Sequence, residues 1–498
     1  MRRPFFLLSV FALVAACSGG GSSSDQGGAG GSAASIPALN PAAGLAITQV
    51  DLYQGIQVPL MLDAAEVPHV APVVRGREGM FRVHVAPIDG YQPREVVVRV
   101  QILGGAAPVT IDQKQLISAP STAGDLGSTA NVPVPGDAIV DGATYSVAVL
   151  EAATGVTNDG DTSRTRWPAS GEQALAPEAT NAAQKIVVIP IQYMGDGSGR
   201  LPDTGPDAIE RLRAHMFALY PTPSVEITVG APLVFNTKLV ATSGAAWQSL
   251  TNAVIKRRGA DNPGNDVYYY GLVKPAASFG AFCGGGCIAG LTITPGSGAQ
   301  PAELRVSTGL GFVDDASSGT FVHEIGHAHG LKHAPCSQFG GIQDVDSKFP
   351  HKGAQLGVYG YDAVTSQLKP PTKWVDMMSY CEPTWISDYN YAKLSKELQR
   401  VAGGARVVPP SSMPKRWRLV SVDASGDATV GESIPARDVQ SGDQVTVTLL
   451  DASGAAVRTV TGFSYGFDHA EGSLVLVPDG DDIHGARVAL PIIRRSAD

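Results

Sequence analysis

The chain has 498 residues, 44% hydrophobic and 17% charged, with a formal net charge of -9. This is ordinary globular composition on a chain too long for one hydrophobic core, so three folded domains are expected. The acidic balance, free of long single-sign runs, gives no electrostatic case for nucleic acid as a partner, and composition leaves the oligomeric state open.

The N-terminus reads Met1-Arg2-Arg3, an apolar run from Phe5 to Ala16, and then Cys17 preceded by the small residues Ala15 and Ala16. The run is too short to span a bilayer as a mature helix, and the small residues suit cleavage before Cys17. Residues 1–16 therefore read as a lipoprotein signal peptide, with Cys17 lipidated and serving as the membrane anchor. Ser18 stands where an aspartate would retain the protein at the inner membrane, so the expected location is the outer membrane or cell surface of a Gram-negative bacterium. Residues 17–45 hold the lipidated cysteine and a Gly/Ser-rich tether with nothing to bury.

Residues 46–165 alternate with period two: Phe81, Val83 and Val85 against Arg82 and His84; Val96, Val98, Val100 and Ile102; Tyr145, Val147 and Val149. Short antiparallel strands of an N-terminal β-sandwich are expected. Lys185 to Tyr193 is a near-continuous apolar run suited to a central strand, and it opens a region reaching to residue 404. Within that region Ile209, Leu212, Met216 and Leu219 mark a helix from Pro206 to Tyr220, and Trp247, Leu250 and Val254 mark a second. Val225 to Val229 and Asp266 to Val273 read as strands, the second packing its tyrosines in a sheet.

The decisive feature is His323-Glu324-Ile325-Gly326-His327-Ala328-His329-Gly330-Leu331-Lys332-His333, the full H-E-x-x-H-x-x-G-x-x-H pattern. Residues four apart share a helix face, so His323 and His327 can present two imidazoles to one ion, with Glu324 beside it. Gly330 can end the helix in a left-handed conformation that returns His333 to the same ion. Three neutral nitrogens would hold one Zn2+ and leave a fourth position for water, whose proton Glu324 is placed to take and later pass on. The helix is expected from about Ser317 to Leu331, with Ser317 or Ser318 as N-cap. His329 is expected to be exposed or to sit behind the ligands. The long loop from Ser337 to Trp374 reads as a specificity loop; its Asp344 and Asp346 could bind Ca2+, but they lack EF-hand spacing, so turn chemistry is the favoured use.

Asp376-Met377-Met378-Ser379-Tyr380 follows downstream, and with the eleven-residue pattern it resembles the metzincin clan of zinc metalloproteases. The resemblance implies that Met378 sits in a methionine turn beneath the metal and that Tyr380 ligates zinc or assists the oxyanion. It also implies an α+β metzincin-like catalytic domain, residues 185–404, built on a twisted mixed sheet with an active-site helix and a closing C-terminal helix. Tyr391, Leu394, Leu398 and Val401 supply that last helix, which is expected to stop at Gly403-Gly404. In that clan the strand before the active helix is the sheet edge that pairs with extended substrate, and Ala281 to Thr294 is the candidate segment.

With Cys17 lipidated, Cys283, Cys287, Cys336 and Cys381 allow three pairings. Export favours disulfides, expected as Cys283 with Cys287 and Cys336 with Cys381; a four-thiolate zinc site is the alternative. Residues 409–498 return to strand patterning and read as a second β-sandwich. The whole is an α+β catalytic domain flanked by two all-β sandwich-like domains. Its expected function is that of a secreted, surface-anchored zinc endopeptidase (a hydrolase) acting on extracellular or envelope proteins or glycoproteins. The competing reading is a catalytically inactive adhesin-like lipoprotein with a metalloprotease-like core, against which the intact Glu324 argues.

Overall fold

The computed structural model describes residues 39–153, 160–178, 182–295, 300–336, 344–402, 415–437, 439–480 and 483–489. The signal peptide, Cys17, the tether as far as residue 38, the Gly403-Gly404 stop and the last expected strand residues lie outside the described residues. Residues 39–45, expected as the end of the tether, are folded: Leu39–Pro41 pairs with Thr144–Ala152, and Ala42 and Leu45 are buried because they pack into the N-terminal core. The first alternating segments form strands Gly79–Pro87, Arg94–Leu103 and Thr144–Ala152 as the pattern predicts. They belong to two antiparallel sheets that enclose one core containing Val83, Val85, Val98, Val100 and Val147. Arg82 and His84, on the polar side of the alternation, are also buried. The Arg82 guanidinium donates to the carbonyls of Thr122, Ala123 and Asp125, so a loop covers the face that alternation alone would leave to solvent.

The next sheet runs in the order Val225–Val229, Gln184–Tyr193, Val267–Val273, Val306–Leu310, Gly290–Thr292, with Leu233–Phe235 also paired to Gln184–Tyr193. All pairings are parallel except the last, which is antiparallel. Both faces are covered, which is why Gln184–Tyr193 and Val267–Val273 read as unbroken apolar runs. On one face, α1 (Pro206–Leu219) and α4 (Asp315–Ala328) bring Leu212, Met216, Phe321 and Ile325 against Ile186, Val188, Tyr268 and Tyr270. On the other, α2 (Gly244–Asp261) brings Trp247, Leu250 and Val254 against Ile189, Ile191 and Tyr269. A short α3 (Phe279–Cys283) precedes the edge strand, and α5 (Asp388–Ala402) buries Tyr391, Leu394, Leu398 and Val401 as the periodicity predicts. The N-terminal strands are tied to this layer by side chains: Trp385 Nε1 donates to Gly55 O at 2.8 Å and Tyr391 Oη to Gln54 O at 2.8 Å.

Among the described residues the C-terminal strands form one antiparallel six-stranded sheet rather than two facing sheets. Leu474 and Leu476 point into the cluster that holds Trp247 of α2, while Val475 and Val477 line a second cluster with Val420, Val422, Val445 and Val447. The run Ser473–Pro478 is apolar throughout because each face meets its own core. The result is a mixed α+β, sheet-rich fold with few helices, in which α2 is shared by two sheets.

Trp247 is the largest fully buried side chain in that shared layer. Trp247→Ala should cost about 3–5 kcal/mol, read as a lower midpoint in urea unfolding with an unchanged slope.

Candidate active site

Helix α4 starts at Asp314, whose carboxylate accepts from the Ser317 amide at 2.8 Å, and not at the expected Ser317 or Ser318. Ser317 is used differently: its Oγ accepts from Phe312 N at 3.0 Å. The helix also stops at Ala328, three residues before the expected end. Gly330 takes φ +86°, its amide donates to His327 O at 2.8 Å, and the Leu331 amide donates to Gly326 O at 3.0 Å. This paired closure turns the chain sharply enough to bring His333 back over the helix face.

The three imidazoles then meet. His327 Nε2 lies 3.1 Å from His323 Nε2 and 3.1 Å from His333 Nε2. His323 Nδ1 donates to Met377 O at 2.8 Å and His327 Nδ1 donates to Leu331 O at 2.8 Å, so in the neutral rings both Nε2 atoms present bare lone pairs to the centre. Burial and the neighbouring imidazoles hold both rings well below the usual histidine range, which keeps them neutral. Lone pairs facing one another at this distance are satisfied by a cation between them. A tetrahedral centre with nitrogens at about 2.0–2.1 Å would separate those nitrogens by about 3.3 Å, so the donor set fits a metal ion.

Beneath the histidines the chain makes a turn at Asp376 to Tyr380. Asp376 is buried; one carboxylate oxygen accepts from Met378 N at 2.8 Å and from Asn390 Nδ2 at 2.8 Å, and the other from the Ser387 amide and hydroxyl. The turn returns its own bond to the site, since Met378 O accepts from Ala334 N at 2.9 Å. Met378 is fully buried against Gly326 of α4, where a β-carbon would lie 2.7 Å from its sulfur. Tyr380 places its ring 4.8 Å from that of His333. Burial pushes the Tyr380 phenol above its ordinary range. Disulfides join Cys336 to Cys381 and Cys283 to Cys287, the pairings expected from sequence.

Glu324 points at the edge strand. Its Oε2 accepts from Thr292 Oγ1 at 2.6 Å, and burial pushes its carboxyl up to about 7. Two further groups reach the same place from the C-terminal sheet, Asp468 and His469, and neither was singled out in the sequence. Asp468 Oδ1 accepts from Thr292 N at 2.9 Å, while its fully buried Oδ2 has no hydrogen-bond partner and lies 3.6 Å from His327 Nε2. Burial, and then the Glu324 charge, push the Asp468 carboxyl well above the usual range. His469 Nε2 lies 3.1 Å from Glu324 Oε1, and its Nδ1 is in hydrogen-bond contact with Tyr380 Oη.

Other expectations resolve locally. His329 is not exposed: it is buried, stacks on Tyr268 at 4.3 Å and donates from Nδ1 to Ile325 O at 2.9 Å. Burial lowers its pKa to about 4. Asp344 and Asp346 are engaged by lysines, Asp344 by Lys332 and Asp346 by Lys393 at 2.9 Å, which is structural use of both carboxylates.

Residues 304–403 match the family model for Peptidase M66. The matched stretch contains α4, His333, the Met378 turn and all of α5, and it ends before Asp468 and His469. No curated protein matches the chain. The family match supports a metallopeptidase, a hydrolase of peptide bonds, and the histidine group is compatible with a metal cofactor.

Because Met378 fills the space above Gly326, Gly326→Ala should overpack the site floor. A loss of about 1–3 kcal/mol is expected in chemical unfolding, together with faster loss of bound divalent metal to a chelator. Unchanged stability and metal retention would show that the floor is slack.

Proposed function

We propose that the chain is a metzincin-like zinc endopeptidase, exported as a lipoprotein anchored through Cys17, that hydrolyses peptide bonds of extracellular or envelope proteins. The observation that carries the reading is the convergence of His323, His327 and His333 with Glu324 beside them. The turn that buries Met378 under the histidines and the family match over the same residues add support. The pattern from Met1 to Cys17 supports the anchored, outer-membrane location.

In this reading His323, His327 and His333 hold the ion. Bound there, a zinc ion would supply acidification of water and polarisation of the scissile carbonyl. Glu324 accepts the proton of the attacking water as the new carbon–oxygen bond forms, then delivers it to the leaving nitrogen as the carbon–nitrogen bond breaks. Thr292 fixes the carboxylate by donating its hydroxyl hydrogen to Oε2, which leaves Oε1 for the proton transfer. Tyr380, whose ring lies 4.8 Å from that of His333, is placed to donate to the oxyanion that develops on the carbonyl oxygen.

Glu324→Ala should retain the metal and the fold while hydrolysis falls by about 10²–10⁴-fold. The measurement is the set of new protein N-termini produced from host-surface and envelope proteins by the two forms. Identical sets would favour the adhesin-like reading instead. Gly290→Ala offers a separate check that alters no histidine: its β-carbon would sit 2.5 Å from Glu324 Oε1 and force the carboxylate aside. Metal content should stay at the wild-type level and hydrolysis should fall at least about 100-fold.

A further inference from the structure

A fourth imidazole, His469, stands beside the three-histidine centre. The centroid of His469 lies 5.2 Å from His323, 5.5 Å from His327 and 5.0 Å from His333. The three histidines of the motif are separated from one another by 4.7, 5.4 and 4.5 Å. Six nearly equal distances among four points describe a tetrahedron, and their ligand nitrogens all lie within 4.8 Å of one another. His469 therefore stands at the corner that an open catalytic centre reserves for water. Asp468 Oδ2, buried without a hydrogen-bond partner, lies 3.6 Å from both His327 Nε2 and His469 Nε2, on the side of the same centre.

The backbone that carries His469 closes the second half of the site. Residues 467–472 connect two adjacent strands of the C-terminal sheet, Ala456–Gly466 and Ser473–Pro478. Where this connection begins, the chain lies along the edge of the catalytic sheet. Thr294 N donates to Gly466 O at 3.0 Å, Ile293 pairs antiparallel with Phe467, and Asp468 N donates to Thr292 O at 3.3 Å. An extended peptide adding to that edge would need the same backbone groups. Meanwhile His469 engages both Glu324 and Tyr380, and Glu324 is only 1% exposed.

We propose that the 467–472 connection is a built-in latch, with His469 as a fourth metal ligand and Phe467–Asp468 as a substitute for the substrate strand. The inference rests on the peptidase reading above. Opening requires the connection to peel away, which lifts Phe467 and Ala470 out of the core shared with α2 and breaks the hydrogen bond from Gln248 to Glu471 O. The sheet itself stays fixed, because Leu474, Leu476 and Trp417 remain in the core shared with α2.

The test uses the full, zinc-loaded protein, with X-ray absorption to count ligands and a dye-labelled unfolded polypeptide as substrate. Wild type should show four nitrogens. His469→Ala and the bulkier His469→Gln, each checked for an unchanged melting profile, should show three nitrogens with added oxygen. If no more than about a tenth of the wild type is open, both variants should hydrolyse at least about tenfold faster. A wild-type shell that already contains oxygen, or variants that hydrolyse at or below the wild-type rate, would overturn the latch. The double variant His469→Ala/Glu324→Ala separates this from failure of the peptidase reading: hydrolysis as fast as in His469→Ala alone would reject Glu324-dependent peptidase chemistry itself.

Discussion

Lone pairs of neutral imidazoles repel when they are aimed at one point, and the rest of the site is arranged to hold them there. Two backbone carbonyls, Met377 O and Leu331 O, fix the ring tautomers of His323 and His327. Each carbonyl belongs to a segment locked by other means: the Met378 turn by buried Asp376, and the exit of α4 by the closure at Gly330. The Ala334–Met378 hydrogen bond and the Cys336–Cys381 disulfide then join those two segments to each other. The repulsion is thus opposed by covalent and buried polar connections, leaving a cavity whose chemistry calls for a cation.

The same economy governs the sheet edge. Gly290–Thr292 is a short antiparallel strand at the margin of an otherwise parallel sheet, and an open edge invites pairing. Here Thr292 serves both sides: its hydroxyl donates to Glu324 and its amide to Asp468. Edge pairing and the Glu324 carboxylate are therefore mechanically coupled through one residue. The C-terminal sheet reaches this position because α2 is packed between two sheets, with Trp247 in the core shared by both.

What could be read from sequence follows the range of the interactions. His323, His327, Glu324 and His333 were legible because helical periodicity and one glycine place them within eleven residues. The strands from Gln184 and Val267 and the helices α1, α2 and α5 were legible because burial writes a period into the chain. The start of α4 was misread because serines and aspartates compete as caps, and only the fold shows that Ser317 is committed to Phe312 N. The burial of His329 was not legible because its partner, Tyr268, lies on a strand far away in sequence. Arg82 looked solvent-facing because the loop that covers it carries no periodic signal.

Asp468 and His469 had no local signal at all: an aspartate and a histidine between two strands look like an ordinary turn. Their relation to Glu324 exists only through the pairing of Phe467 with Ile293, a non-local contact that neither segment's pattern specifies. They also lie beyond the residues that match a peptidase family, so the recognisable part of the chain ends before the groups that stand beside the three histidines. The motif alone describes three nitrogens and an open corner; the folded chain places a fourth imidazole at that corner and a backbone along the edge beside it. In the proposed latch the chemistry is specified by the helix, and access to it by a connection in a different sheet.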